Sequence, residues 1–231
     1  MTPEHGLDPG HAPDLSHVDV WVFDLDNTLY PPGSEFIALM EGRMTDFMVR
    51  QTGLPRVEAR ALQKRYLHEH GTTLAGLMAH HGVEPESFLT EVHDVAIDSL
   101  SPDPELRAAL VRLPGRRLVF TNADSRHAER VLAHLDLADL FEDVFHIASA
   151  DYIPKPQPAA FERMLARHAV TPRDAAFFED SERNLEPAAR LGMTTVLVGP
   201  HAAASGADFV HHRAEALQPF LKAARVKETA L

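Results

Sequence analysis

Residues 20 to 28 read Val-Trp-Val-Phe-Asp-Leu-Asp-Asn-Thr, so that an apolar run ends abruptly in two carboxylates and a hydroxyl. Such an apolar run is typical of a strand buried on both faces of a sheet. In an open parallel sheet, ligands bind beyond the carboxyl ends of the strands, which is where this strand would place Asp24 and Asp26. Taken alone, the pattern has a second interpretation, because Asp and Asn after a strand also form turns and helix caps.

Further strands are indicated by short runs rich in Val, Phe and Thr. The predicted strands are residues 18 to 23, 117 to 121, 144 to 148, 175 to 179 and 194 to 198. From the second strand onward, helical patterns follow at residues 126 to 135, 159 to 168 and 184 to 191. This alternation indicates right-handed βαβ units. The sequence therefore predicts an α/β fold, with a Rossmann-like parallel sheet that has helices on both faces.

The segment between the first two strands has no convincing strand signal and is far longer than one crossover helix requires. Its apolar residues recur at helical spacing, as in Phe36, Met40, Met44, Phe47 and Met48. Three glycines, Gly53, Gly71 and Gly82, stand where helices would end. These patterns predict a small all-helical cap inserted after the first strand, with the site between this cap and the sheet.

The chain divides into three predicted parts. We expect a flexible leader at residues 1 to 16, a catalytic core at residues 17 to 32 and 103 to 231, and the helical cap at residues 33 to 102. The return linker contains Ser101-Pro102-Asp103-Pro104, which is typical of a loop. The leader has no apolar run, so we expect neither a signal peptide nor a membrane anchor.

Composition narrows the classes of partner. The formal net charge is −12 and no cluster of Lys and Arg is present, which argues against polymeric nucleic acid. A small phosphorylated metabolite remains compatible with this charge, since a metal ion and a few cations can reverse the local potential. The chain has no cysteine, which excludes disulfides and thiolate chemistry and favours a cytoplasmic location. The sequence leaves the oligomeric state open.

Polar residues also follow the other predicted strands. Thr121 and Asn122 end the second strand, Lys155 lies in a Pro-Lys-Pro loop after the third, and Glu179 and Asp180 end the fourth. Individually, each has a structural interpretation as a strand residue, a solvated cation or a helix cap. Together with Asp24 and Asp26 they form an ordered set at one edge of the sheet, and this set favours a functional site.

These motifs resemble those of the haloacid dehalogenase-like superfamily of hydrolases, and the resemblance covers the core and the position of the cap. It implies Asp24 as nucleophile and Asp26 as general acid and base, with Thr121, Asn122 and Lys155 as phosphate ligands. It also implies Mg²⁺ bound by Asp24, Asp180 and the backbone carbonyl of Asp26, a ligand set of oxygens that suits this hard cation. Thr28 and Glu179 are expected to contact these residues and hold them in position.

Two reaction classes within the superfamily are separated by Asp26. Dehalogenases of the superfamily act on carbon centres, lack this second aspartate and need no magnesium, so its presence favours phosphoryl transfer. The resemblance thus implies a magnesium-dependent phosphomonoesterase that forms an aspartyl phosphate. Bound Mg²⁺ would offset the repulsion between a carboxylate nucleophile and a phosphate.

A closer resemblance is to the pyrimidine 5'-nucleotidase branch, and it spans both cap and core. It is carried by residues 23 to 31, by Gly71-Thr72-Thr73-Leu74-Ala75-Gly76-Leu77-Met78 and by His127-Ala128-Glu129-Arg130-Val131-Leu132. The implied substrates are UMP, CMP and related mononucleotides. Cap residues that could bind the base are Arg43, Arg65, Tyr66, His70 and Thr72, although each also has a structural interpretation.

Three alternatives remain open from the sequence. A phosphatase of broad range would use the same residues on other small phosphate esters. A sugar-phosphate mutase also uses paired aspartates and a helical cap, but it must exclude water from the acyl phosphate. A noncatalytic module could retain the phosphate pocket without turnover, since fold does not guarantee function.

Overall fold

The computed structural model describes residues 12 to 227 of the chain. Most of the predicted leader lies outside these residues, but its last part differs from a flexible segment. Leu15 is fully buried, and its N–H donates to the carbonyl of Arg225 at 2.9 Å. The side chain of Arg225 also binds Asp14. Asp14 and Leu15 therefore contact the other end of the described chain, and Leu15 contributes to the hydrophobic core.

A single parallel sheet forms the centre of the molecule within residues 12 to 227. Its strands are β1 (Val20–Phe23), β2 (Arg116–Phe120), β3 (Asp143–Phe145), β4 (Ala175–Glu179), β5 (Thr194–Val198) and β6 (His212–Ala214). Their order across the sheet is β3-β2-β1-β4-β5-β6, and every neighbouring pair is parallel. The prediction of a parallel α/β sheet is confirmed, and β1 occupies a central position between β2 and β4.

Two strands differ from the sequence prediction. The third strand was expected at residues 144 to 148, but it ends at Phe145, and Ile147–Ala150 forms a 3-10 turn. The edge strand β6 was not predicted, because it is only three residues long and two of these are His212 and Arg213. His212 is half-buried in this strand.

Four helices lie between β1 and the next core helix. They are α1 (Glu35–Thr52), α2 (Arg56–His70), α3 (Thr73–His81) and α4 (Pro85–His93). The side chain of Ser34 accepts a hydrogen bond from the N–H of Ile37 and so begins α1. The three glycines predicted to end helices stand at the C-caps of α1, α2 and α3. We retain the name helical cap for α1 to α4, and its boundaries as a separate domain stay a prediction.

The remaining helices cover both faces of the sheet. They are α5 (Pro104–Val111), α6 (Ser125–His134), α7 (Pro158–Arg167), α8 (Glu182–Leu191) and α9 (Leu217–Ala223). Buried side chains of α5, α6 and α9 share one cluster with Trp21 and Phe23, whereas those of α7 and α8 share another with Val22. Alternate residues of β1 thus face opposite layers, as expected for a strand buried on both faces.

Aromatic packing anchors β1 between these layers. The rings of Phe23 and Phe178 stack with centroids 4.6 Å apart, and Trp21 lies against Phe178 at 6.3 Å. All three side chains are fully buried. Burial of one such side chain contributes roughly 1.5–3 kcal/mol relative to exposure, so the position at which β1 ends is firmly fixed. Among residues 12 to 227, no helix combines the length and the apolar character that crossing a membrane requires.

Candidate active site

The polar residues that follow the central strands lie together at one edge of the sheet. Asp24 follows β1, Thr121 follows β2 and Asp180 follows β4, and these three strands are direct neighbours. The N–H of Asp24 donates to the carbonyl of Phe178 at 2.9 Å, which continues the ladder one residue past the end of β1. The geometry agrees with the expectation that carboxyl ends of parallel strands converge on one site.

Lys155 is the buried cation of this site. Its Nζ donates to Asp24 Oδ1 at 2.6 Å, to Glu179 Oε2 at 2.7 Å and to the carbonyl of Phe120 at 2.9 Å. Only 1% of the residue is exposed. Burial alone would lower the pKa of Lys155, but the charges of Asp24 and Glu179 outweigh it and raise the pKa above the usual value. The lysine is therefore held in its charged form between two carboxylates.

Asn122 fixes the loop that presents Lys155. Its Oδ1 accepts from the backbone N–H of Lys155 at 2.8 Å, and its Nδ2 donates to the carbonyl of the same residue at 3.2 Å. Thr121 is buried, and its Oγ1 accepts from the N–H of Ala123 at 3.0 Å. Nδ2 of Asn122 has a second hydrogen, and the hydroxyl hydrogen of Thr121 is not used in this contact. Both side chains can therefore donate a further hydrogen bond. Their roles as phosphate ligands stay predictions.

Three carboxylates form a cluster suited to a cation. Asp24, Glu179 and Asp180 each present a carboxylate oxygen, and these oxygens all lie within 4.8 Å of one another. Burial, followed by the charge of Glu179, raises the pKa of Asp24 to about 7 and that of Asp180 to about 9. Because ionised carboxylates repel one another here, a hard cation with oxygen ligands such as Mg²⁺ fits the donor set.

The side chain of Asp26 turns away from this cluster. Its Oδ1 accepts from the hydroxyl of Tyr30 at 2.6 Å and lies 2.8 Å from Nε2 of His127. Burial alone would raise the pKa of Asp26, but the charge of His127 and the hydrogen bonds from His127 and Tyr30 outweigh it and lower the pKa to about 2. The prediction that Asp26 binds metal concerns its backbone carbonyl, and it stays a prediction.

His127 was not nominated as a site residue from the sequence. A signal was present, because His127 begins the stretch of α6 on which the nucleotidase resemblance partly rests. Only 1% of His127 is exposed, and a buried histidine on an apolar helix face has an ordinary structural interpretation. The hydrogen bond to Asp26 depends on tertiary packing and could not be read from spacing alone.

Two residues of the loop after β1 carry buried oxygens without a hydrogen-bond partner in the described part of the chain. These atoms are Oδ1 of Asn27 and Oγ1 of Thr28. Asn27 has a φ of 67°, in the left-handed region that Asn tolerates better than most residues. Thr28 follows the two aspartates in sequence and is 4% exposed, and its supporting role stays a prediction.

The helical cap approaches the Lys155 loop at Gly71. A Cβ atom at this position would lie 2.9 Å from the carbonyl oxygen of Lys155 and 3.2 Å from Cγ of Pro154. Gly71 also has a φ of 90°, which favours glycine. A second contact joins Arg183 of α8 to the carbonyl of Leu67 at 2.9 Å. The end of α2 therefore packs directly over the loop that holds the buried lysine.

The cap residues nominated for base binding fall into two groups. Tyr66, His70 and Thr72 lie near the Gly71 turn, where Tyr66 stacks on His80 and Nε2 of His70 lies 3.0 Å from Nε2 of His80. The hydroxyl of Thr72 accepts from the N–H of Ala75 and caps α3. Arg65 is exposed, and Arg43 donates to the carbonyl of Asp94 instead. Only the first group adjoins the contact with Lys155.

Two curated proteins are similar in sequence to this chain. Phosphate metabolism protein 8 of Saccharomyces cerevisiae is 29% identical over 83% of this chain and 65% of its own length. Fructose-1-phosphate phosphatase YqaB of Escherichia coli is 34% identical over 46% of this chain and 56% of its own length. This chain thus spans less than two thirds of either curated relative.

Solved structures agree on the fold. A crystal structure of a HAD phosphatase from Thermococcus onnurineus superposes with a TM-score of 0.60, covering 89% of this chain and 97% of that one at 21% identity. At that identity the likeness concerns the fold alone. The model of the family described as haloacid dehalogenase-like hydrolase matches residues 18 to 192, which include β1 to β4 and every site residue described above. The chain belongs to the haloacid dehalogenase-like hydrolases.

Proposed function

We propose that the protein is a magnesium-dependent phosphatase that forms an aspartyl phosphate on Asp24. The observation that carries this proposal is the position of Asp24, which lies at the end of a central strand with Lys155 Nζ 2.6 Å from its Oδ1. Asp26, the residue that distinguishes phosphoryl transfer from dehalogenation, lies two positions further along the same loop. The names of the yeast and E. coli relatives, a phosphate metabolism protein and a phosphatase, support the same class.

In the first step a carboxylate oxygen of Asp24 attacks the phosphorus atom of a phosphate monoester. A bond forms between this oxygen and phosphorus, while the bond from phosphorus to the ester oxygen breaks. Lys155 contributes positive charge next to the nucleophile, which reduces its repulsion with the phosphate. In the second step water attacks the aspartyl phosphate, which releases inorganic phosphate and restores the carboxylate.

Asp26 moves the protons in both steps. As the ester bond breaks, the carboxyl of Asp26 gives its proton to the leaving oxygen, and it later takes a proton from the attacking water. With a pKa of about 2, Asp26 is ionised before substrate binds. A phosphate dianion bound nearby disfavours a second negative charge, so substrate binding favours the protonated acid that the first step requires.

Asp24 and Asp180 would hold Mg²⁺, with Glu179 behind them bound to Lys155. When bound, the ion supplies charge neutralisation for the phosphate and the nucleophile. These residues favour a cation even without the ion, because burial and the charge of Glu179 raise the pKa of both Asp24 and Asp180.

Magnesium affinity is expected to increase with pH. Near neutral pH the two aspartates retain protons, because their pKa values lie at about 7 and about 9. Binding must displace these protons, so affinity rises as the pH increases from 6 to 9. Titration calorimetry in buffers of different ionisation enthalpy should reveal proton release that declines over this range. Asp180→Asn should weaken binding and flatten the pH dependence, and a pH-independent affinity in the original protein would contradict the assignment.

The substrates proposed first are pyrimidine nucleoside 5'-monophosphates such as UMP and CMP. This proposal rests on the resemblance of the Gly71–Thr72 segment and on its packing over the Lys155 loop. The imidazole rings of His70 and His80 lie near that segment and could stack on a planar base, whereas Tyr66 is buried beneath them. A phosphatase of broader range remains the second candidate, because the E. coli relative is named for a sugar phosphate.

The assignment is tested by measuring magnesium-dependent phosphate release from UMP, CMP, AMP, phosphoglycolate and glucose 1-phosphate. Preference for UMP and CMP supports the nucleotidase, whereas equal or faster release from the non-nucleotides removes the pyrimidine assignment and keeps the phosphatase. Exchange of phosphate between sugar positions without release would indicate a mutase. No reaction with any ester would favour a noncatalytic binding module.

Contact between the cap and the Lys155 loop is expected to matter for turnover. In Gly71→Ala, the added Cβ meets the carbonyl of Lys155 at 2.9 Å, so the cap or the loop must move. We expect kcat/KM for the best ester to fall on the order of 10-fold to 100-fold, since small displacements at a reacting centre are costly. Gly82→Ala is a matched control, because its φ is 62° and nothing lies within 4 Å of the added atom. Equal losses in the two variants would show that backbone strain alone is responsible.

A further inference from the structure

We infer that His127 is a positioning residue that fixes the carboxylate of Asp26 for proton transfer to the leaving group. The inference rests on the proposed phosphatase and adds to it a residue on the core helix α6. His127 approaches Asp26 through Nε2 at 2.8 Å and contacts no other carboxylate of the site. It therefore acts through Asp26 and is not itself a catalytic residue.

Both hydrogen bonds to Asp26 fall on the same oxygen. Oδ1 accepts from the hydroxyl of Tyr30 at 2.6 Å and from His127 at 2.8 Å. Two donors on one oxygen determine the rotation of the carboxyl group and leave Oδ2 as the atom that can exchange a proton with substrate or water. Tyr30 lies four residues from Asp26 in the same loop, whereas His127 comes from a separate element.

The ring of His127 has almost no freedom of its own. Its side chain is 0% exposed, and it stacks on Phe36 with centroids 5.6 Å apart and an interplanar angle of 9°. The ring of His93 from α4 lies 4.1 Å away, and His93 Nδ1 is 2.6 Å from Oδ2 of Asp124. Oδ1 of Asp124 accepts from the N–H of His127 at 2.8 Å. The imidazole is thus held by groups from both the cap and the core.

The hydrogen bonds also determine which nitrogen carries the proton. Nδ1 of His127 is buried and has no partner among residues 12 to 227. The ionised carboxyl of Asp26 can only accept a hydrogen bond, so Nε2 of His127 must carry a proton and donate it to Oδ1. His127 is therefore a fixed donor to Asp26. A histidine that served only to fill space would not require this orientation.

The test uses two esters that differ in their need for a proton. Phosphoryl transfer to Asp24 from UMP, or from the alkyl phosphate that the wild-type protein hydrolyses fastest, requires protonation of the leaving oxygen. Phosphoryl transfer from p-nitrophenyl phosphate does not require it, because p-nitrophenolate is a good leaving group. The parameter is kcat/KM, which reports the first irreversible step, and its ratio between the two esters cancels any loss of folded protein.

In His127→Phe the ring stack on Phe36 can persist while the hydrogen bond to Asp26 is lost. We expect kcat/KM for the alkyl ester to fall on the order of 100-fold and that for p-nitrophenyl phosphate to fall less than about 10-fold. His127→Gln retains an amide donor and should recover part of the difference. His134→Phe is the control, since His134 lies on the same helix and binds the carbonyl of Leu100 instead.

A fall by the same factor for both esters, or no fall for either, would overturn the role of His127 and leave the phosphatase intact. If the wild-type protein hydrolysed neither ester, the proposed function would fail and this role with it.

Discussion

Replacement of Lys155 by Met is expected to lower the free energy of unfolding by about 3–5 kcal/mol and to abolish turnover. The lysine is 1% exposed and bridges two carboxylates that are themselves buried. Without Nζ, the carboxylates of Asp24 and Glu179 would face each other with no cation between them. The carbonyl of Phe120 would lose its donor as well. Urea unfolding followed by the fluorescence of Trp21, the single tryptophan, measures the change in stability.

A control for this experiment is Lys222→Met. The ammonium of Lys222 lies 3.3 Å from Glu105, and both side chains are about 70% exposed, at 69% and 70%. Exposed ion pairs contribute roughly 0–1 kcal/mol, so this variant should unfold almost as the original protein does. If the two variants unfolded at the same urea concentration, Lys155 could not be the cation that stabilises the buried carboxylates. Added Mg²⁺ should recover part of the stability of Lys155→Met by neutralising the same carboxylates.

Asp24→Asn is expected to reduce phosphate release on the order of 10³-fold or more while the protein stays folded. An amide oxygen cannot form a stable acyl phosphate by attack on phosphorus, so the covalent intermediate should also disappear. Stability should be retained, because burial and the charge of Glu179 already disfavour the ionised form of Asp24. We therefore expect Lys155→Met to lose both stability and activity, whereas Asp24→Asn should lose activity alone.

The measurement for Asp24→Asn combines steady-state phosphate release with trapping of the phosphorylated chain by acid quench. Asp139→Asn is a suitable control, since Asp139 is exposed and pairs with Arg107. It should react and become phosphorylated as the original protein does. A phosphorylated chain in Asp24→Asn would assign the nucleophile to another residue and would contradict the mechanism.

The parts of the site that could be predicted are those carried by strand ends. An apolar strand followed by Asp24, and a second followed by Glu179 and Asp180, predict neighbours because parallel strands end at one edge. The structure brings these residues together with Lys155, although the lysine lies on a loop after a 3-10 turn. Hydrophobic runs and helix-ending glycines likewise predicted the sheet and the helices of the cap.

The parts that could not be predicted depend on pairings between distant residues. The hydrogen bonds of Asn122 to the backbone of Lys155 join positions 33 residues apart. The contact of His127 with Asp26 joins positions 101 apart. No local period indicates either pairing, because each is fixed by how α6 and the lysine loop pack on the sheet. The strand β6 was missed for a different reason, since its short polar sequence has no strand signal of its own.

The central place of β1 has a consequence for how the chain reaches its fold. During synthesis Val20–Phe23 emerges well before its partners β2 and β4, which begin only at Arg116 and Ala175. The helices of the cap pack mainly on one another and can form early through local contacts, whereas the sheet must await distant segments. Both edges of this apolar strand lack partners until β2 is made, and one edge stays unpaired and exposed to other chains until β4 is made. High protein concentration during refolding speeds pairing between chains but not pairing within one chain, so it should increase aggregation before any loss of native stability is apparent.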